Sequence, residues 1–183
     1  ADDPGMHSSQ DEQDNRNYAK FTRVPVLEPS SSSEAREFTL AAFELSETFD
    51  TPVILRMTTR TSHSKGLVEF GEPTPPKPVT ELARNWTKYH MMPQNARVRH
   101  EMVEQRVLKL KEYAEKCPLN RTEMGDKQVG IISCGATYGF AREAVPGASF
   151  LKIGMPYPLP RKLIADFRAK VDKLYVVEES DPI

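Results

Sequence analysis

Two short polar stretches hold most of the side chains able to act on a ligand. The first is ADDPGMHSSQDEQDNR, residues 1–16. His7 is its natural proton carrier, because an imidazole titrates near neutrality. Ser8, Ser9, Gln10, Gln13 and Asn15 can hydrogen-bond to oxyanions or carbonyls, and Arg16 can grip a carboxylate. Asp2 and Asp3 are neighbours, which aims their carboxylates in different directions, so a hard-cation site is not expected there. The second stretch is Arg56, Thr58, Thr59, Arg60, Ser62 and His63. Two arginines among hydroxyls suit a phosphate or a carboxylate, although arginines at a strand end also form ordinary surface ion pairs.

Other chemistries are poorly supplied. Serine, histidine and aspartate are all present, but no GxSxG elbow raises a nucleophile, so hydrolysis is rejected. CGATYGFAREA places Gly135 and Gly139 after an apolar run without GxGxxG or a GK[ST] ending. Close strand-to-helix packing explains those glycines. His90 and His100 stand on expected helices without companion ligands. Cys117 and Cys134 are too few for an iron–sulfur cluster, which takes four thiolates, and are expected as reduced thiols in a cytoplasmic protein.

The polar stretches need elements to hold them. A short helix is expected within residues 11–23, where Tyr18, Ala19 and Phe21 are the groups that can be buried. VPVLEP (24–29) reads as a buried strand. Ser31 and Glu34 have capping-box spacing, and Ala35, Phe38, Ala42 and Leu45 recur at helical intervals. Thr51-Pro52 ends that helix and VILRM (53–57) is a second strand, so strand, helix, strand predicts a parallel pair. The Arg56-to-His63 stretch would then lie at a strand's carboxyl end, where α/β ligand sites collect. LVEF (67–70) is a further candidate strand, and prolines and glycines dominate residues 71–78, an extended connector. Helices are expected over 82–92 and 95–116, the second with a narrow stripe of Met102, Val103, Val107, Leu110 and Ala114. VGIISC (129–134), SFLKIG (149–154) and KLYVVEE (173–179) alternate with helical segments, again the grammar of an open parallel sheet.

Bulk properties narrow the partners. The 183 residues balance 25 basic against 26 acidic side chains, so no cationic field exists to hold nucleic acid. No apolar run approaches the roughly 20 residues of a membrane helix. The opening residue is alanine, the opening loop has no strand before it, and the last strand has no covering helix. A middle portion of a longer subunit is therefore expected.

ADDPGMHSSQDEQDNR resembles a loop in the alpha subunit of indolepyruvate:ferredoxin oxidoreductases, members of the thiamine-diphosphate-dependent 2-oxoacid:ferredoxin oxidoreductase family. VPVLEPSSSSEAREF (24–38), AAFELSETFDTPVILRMTTRTSHS (41–64), GIISCGATYGFAREA (130–144) and YPLPRKLI (157–164) continue the resemblance in the family's order. It implies an α/β chain of two incomplete open parallel-sheet units. Residues 1–71 would be the latter part of a thiamine-diphosphate pyrimidine-type domain, 72–127 a Pro-rich linker and long helical connector, and 128–183 the start of a transketolase-C-terminal-like domain.

The same resemblance implies a parent oxidoreductase of amino-acid catabolism that converts arylpyruvates, indolepyruvate above all, to aryl-acetyl-CoA. Thiamine diphosphate with magnesium and iron–sulfur clusters would serve the parent complex, with the rest of the alpha subunit, a beta subunit, ferredoxin and coenzyme A as partners. The chain lacks the GDG magnesium motif and the cluster cysteines. It is therefore expected to bind no cofactor tightly and to be inactive alone. His7 is the candidate catalytic residue and Ser8, Ser9 and Gln10 are candidate cofactor contacts. Arg16, Arg56, Thr59, Arg60 and His63 are candidate substrate contacts. A sister enzyme for pyruvate, 2-oxoglutarate or a branched oxoacid is the near alternative. A non-catalytic α/β interaction domain, its polar opening a mere tail, is the distant one.

Overall fold

Prolines at 25, 29 and 52 remove backbone donors on either side of the first two strands, so only short ladders form there. In the computed structural model, which describes residues 1–183 apart from 74, 76, 77, 79, 80, 82 and 83, Val26–Leu27 (β1) and Ile54–Leu55 (β2) pair in parallel. Between them runs the helix Ser32–Phe49 (α2), which buries Phe38 and Leu45 as its stripe predicts. Ser31 accepts from the Glu34 amide at 3.2 Å, one half of the capping box. The other half is displaced by one residue, because Glu34 accepts from the Ser30 amide and reaches across to Lys152.

The expected short opening helix lies within residues 11–23 and occupies their second half. Helix α1 covers Arg16–Thr22, since residues 11–15 are spent on loop hydrogen bonds. Ala19 is fully buried, whereas Tyr18 and Phe21 are exposed. Thr59–His63 forms one helical turn (α3) directly after β2. LVEF is not a strand: Leu67 and Phe70 are exposed and unpaired. The expected 82–92 helix reduces to Trp86–Tyr89 (α4), with positions 82 and 83, like part of the proline-rich connector, outside the described residues. Pro93 starts the long helix Pro93–Ala114 (α5), a position where its missing N–H costs nothing. Only the second half of its stripe packs: Val107, Leu110 and Ala114 are buried while Met102 is half exposed.

The second sheet holds Arg121–Glu123 (β3), Asp126–Cys134 (β4), Ala148–Ile153 (β5) and Lys173–Val177 (β6) in the order β3-β5-β4-β6. Strand β4 lies between β5 and β6, parallel to both. Strand β3 adds an antiparallel edge that the sequence pattern does not announce, being polar and three residues long. Helix Gly135–Ala144 (α6) covers one face with Tyr138 and Ala141, and Arg161–Arg168 (α7) covers the other with Phe167. The chain runs from β4 to β5 on one side and then to β6 on the other. That reversal opens a crevice at the carboxyl end of β4. The fold is thus α/β with open, mainly parallel sheets, as expected.

The two sheets are joined through β1. Its carbonyl side serves β2, while the Val26 and Glu28 amides donate to Tyr157 and Gly154 of the second unit at 3.0 and 2.8 Å. One apolar cluster spans the join, with Leu27, Phe38 and Leu45 against Leu110, Leu119 and Met155. No helix among the described residues is long and apolar enough to cross a membrane.

Candidate functional site

The opening loop is seated where β2 ends. Asp2 donates its amide to Met57 at 2.8 Å and accepts from the Thr59 amide at 2.8 Å, a parallel bridge to Thr58. Asp3 then folds the loop on itself: its carboxylate accepts from the Thr59 hydroxyl and from the Ser8 and Ser9 amides, each at 2.6 Å. The Thr59 hydroxyl and those amides hold the Asp3 carboxyl well below the usual carboxylate range. The polar opening is therefore a folded rim and not a tail.

Behind this rim lies a buried ionic joint. Arg56 is 2% exposed; its Nε donates to Asp2 at 2.5 Å and its Nη1 to Glu28. Arg16, also buried, pairs with Asp14 and with Glu178 at 3.1 Å, and donates to the carbonyls of Glu179 and Asp181 at 2.8 Å. These contacts tie α1 to the carboxyl end of β6. Cys134 closes the joint, its sulfur 3.5 Å from Arg16 Nη1. Burial pushes that thiol far up, so it stays protonated and unreactive. Three buried carboxylates, Asp2, Asp14 and Glu28, and the partly exposed Glu178 thus face two buried guanidiniums. Burial raises Glu28 above its ordinary value despite Arg56 and Arg16, and its Oε2 has no partner among the described residues, leaving room for a proton. Burial would raise Asp14 too, but the Arg16 hydrogen bond and the Arg56 charge bring it below.

Gly135 shows how tightly the joint is built. It has φ +55°, and a Cβ there would lie 2.2 Å from Glu28 Oε1. Only glycine lets β4 turn into α6 against that carboxylate.

In front of the joint, four residues from four segments meet at the surface. Arg60 Nη2 lies 3.2 Å from His7 Nε2, and Arg60 Nε lies 3.0 Å from Glu179 Oε1. The guanidinium also stands 5.5 Å from the centre of the Phe140 ring, on α6. Because an arginine can only donate, this contact requires His7 to accept at Nε2. The carboxyl ends of β2, β4 and β6 converge here, the place where an α/β protein presents its ligand groups.

The sequence candidates are thereby divided. His7 and Arg60 are brought together and open to solvent; Gln10 and Ser8 lie on the exposed loop nearby. The Ser9 hydroxyl is occupied by Asp3 and by the Asp11 carbonyl, and Thr59 by Asp3. His63 ends α3, exposed. Arg16 and Arg56 are enclosed by carboxylates and reach no solvent. Asp14, Glu28, Phe140, Glu178 and Glu179 have no role in the sequence reading, and Cys134 figures there only as a reduced thiol. Glu28 alone carried a signal, a carboxylate inside the apolar run VPVLEP that must find a partner.

A hollow of about 200 Å³ lies below Glu178, walled by Ile132, Cys134, Ile153, Leu159 and Ile164. Among the described residues, no three His, Cys, Asp or Glu side chains are grouped as a metal-ligand set.

No family model matches the chain. It is 43% identical over 194 residues to the indolepyruvate oxidoreductase subunit IorA of Thermococcus kodakarensis, 40% to that of Archaeoglobus fulgidus and 42% to that of Methanothermobacter marburgensis. Each alignment takes in 100% of this chain, which spans about 30% of the length of these relatives. Among solved structures, a 2-oxoglutarate:ferredoxin oxidoreductase from Magnetococcus marinus, with 2-oxoglutarate, coenzyme A and succinyl-CoA bound, matches 83% of the chain and 34% of its own. The TM-score is 0.57 at 18% identity, a likeness of fold.

Proposed function

Because this chain belongs, over the stretch it spans, to the family of the IorA subunits of indolepyruvate oxidoreductase, we propose that it forms part of an enzyme that oxidatively decarboxylates arylpyruvates, indolepyruvate foremost. The products would be aryl-acetyl-CoA and electrons passed to ferredoxin. The observation that carries this reading is an identity of 38–43% over alignments that take in the whole chain. The convergence of the sheets' carboxyl ends on Arg60 and His7 supports a ligand site at the rim.

In this reading Arg60 takes the carboxylate of the 2-oxoacid through a guanidinium N–H left free by Glu179 and His7. His7 is placed to accept or return a proton beside it. Arg16, Arg56 and Thr59 serve the site from behind, holding the rim against the second sheet, and His63 lies at its margin. Thiamine diphosphate, magnesium and iron–sulfur clusters belong to the parent complex. Thiamine diphosphate supplies a sink for the electrons released on decarboxylation. The described residues do not fit its magnesium diphosphate end, lacking a grouped ligand set. They do offer Ser8 and Gln10, with the Ser9 backbone, as one polar wall for its organic part. Residues 1–71 would be the latter part of a pyrimidine-type domain and 128–183 the start of a transketolase-C-terminal-like domain. The remainder of the subunit, a beta subunit, ferredoxin and coenzyme A complete a cytoplasmic enzyme.

The test uses the complete subunit with its partner. Coenzyme-A-dependent reduction of ferredoxin is followed with indolepyruvate, phenylpyruvate, pyruvate, 2-oxoglutarate and a branched 2-oxoacid. Arylpyruvates are expected to give the highest kcat/KM; an enzyme silent toward them but active on another acid would move the proposal to a sister activity. Calorimetric titration of the 183-residue chain with magnesium and thiamine diphosphate should show no tight binding, and a saturable high-affinity isotherm would overturn its inactivity alone.

A further inference from the structure

Phe140 has no part in the core. Its neighbours Tyr138 and Ala141 turn toward the sheet, while Phe140 faces outward from α6 and is 51% exposed. A single exposed ring is ordinary on a protein surface; what distinguishes Phe140 is its place among the converging strand ends, beside Arg60. The guanidinium of Arg60 stands over the ring at 5.5 Å, and the same guanidinium reaches His7 and Glu179. The residue just before it is Gly139, where an added Cβ would meet nothing within 4 Å. Mid-helix glycine costs about 1 kcal/mol relative to alanine, so open ground is kept beside the ring at the expense of helix stability.

From this geometry we infer that Phe140 selects for an aryl side chain on the 2-oxoacid. Arg60 takes the carboxylate, Phe140 receives the aromatic ring, and Gly139 leaves the space into which that ring slides. The inference rests on the functional reading above and names the residue that separates arylpyruvates from aliphatic 2-oxoacids. An arylpyruvate carries its carboxylate and its ring two carbons apart, which matches a cation and an aromatic face in direct contact. An aliphatic acid gains from Arg60 alone. Edge-to-face or offset contact between two rings adds to simple burial, a gain of about two- to tenfold in affinity.

The complete enzyme tests this through a ratio, kcat/KM for phenylpyruvate or indolepyruvate over kcat/KM for pyruvate. Phe140→Ala should lower the ratio about fivefold, while Phe140→Tyr, which keeps the ring, should hold it within about twofold. Gly139→Leu, which fills the open ground without straining the helix, should lower the ratio as well. A ratio unchanged in Phe140→Ala, or both substrate classes falling together in Phe140→Ala and Phe140→Tyr alike, overturns the inference and leaves the activity standing. A wild-type enzyme that oxidises no 2-oxoacid removes the functional reading and this inference with it.

Discussion

Arg56 and Arg60 stand four residues apart at the end of one strand and have opposite fates. Arg56 is enclosed at 2% exposure between Asp2 and Glu28, whereas the Arg60 side chain is 45% exposed between His7 and Glu179. Glu178 and Glu179, both partly buried, serve the two arginine environments in turn, the first pairing with the buried Arg16 and the next with the exposed Arg60. The joint and the rim are thus made of the same residue types at nearly the same chain positions. What separates them is water. In the joint an unpaired charge is severely penalised, so every partner is structural. At the rim a charge is screened, its partners can exchange, and a ligand can take their place.

That contrast is most exposed to failure in the arginines themselves. Arg56→Met should cost about 3–5 kcal/mol in urea unfolding of the purified chain, because Asp2 and Glu28 remain buried without a counter-charge. Arg60→Met should cost under about 1 kcal/mol, as surface ion pairs do. Equal costs would mean that joint and rim are not distinct environments.

Gly135→Ala comes next. It forces a side chain into a positive-φ position against Glu28 and should cost about 2 kcal/mol or more, whereas Gly139→Ala should be neutral or stabilising. If the two alanines behave alike, β4 does not enter α6 under the constraint described.

Glu28→Gln probes the upward shift of Glu28 in the joint. A folded-state value raised above the ordinary one means that Glu28 contributes stability fully present below about pH 4.5, lost as pH climbs through the raised value. Each pKa unit of elevation is worth about 1.4 kcal/mol, so as pH rises the wild-type Tm should fall relative to that of Glu28→Gln. Asp14 and Glu34 lie below their ordinary values and act in the opposite sense, their stabilisation present at neutral pH and fading on acidification. A Glu28→Gln curve parallel to wild type would show that the carboxyl is already ionised.

The smallest effect belongs to the opening loop. Ser9→Ala removes one hydroxyl from Asp3 but leaves the Ser8 and Ser9 amides in place, for an expected loss of about 1 kcal/mol. Limited proteolysis of residues 1–16 should accelerate only slightly. Rapid cleavage in the wild-type chain would return the loop to the status of a tail.

Much of this was legible in the residues. The β1–α2–β2 unit follows from an apolar run, a capped stripe and a second apolar run, and the three parallel strands of the second sheet follow from the same local rules. The opening loop announces itself through its composition, and the paired arginines through their place after a strand. The misses have a common cause. LVEF has strand composition but no partner edge, and strand β3 has an edge to join despite polar composition. Strand identity is conferred by the neighbour as much as by the residue.

Local pattern therefore determined the order of elements, the family signature and the candidate side chains, because helical stripes, caps and proline breaks act over a few residues. It was packing of the two sheets through β1 that decided which arginine anchors and which one greets a ligand, and that set Phe140 beside Arg60. Those outcomes depend on solvent exclusion by segments more than a hundred residues apart, Arg16 against Glu178 above all. Burial of that kind has no signature in a window of sequence, since it exists only once the distant surfaces have met.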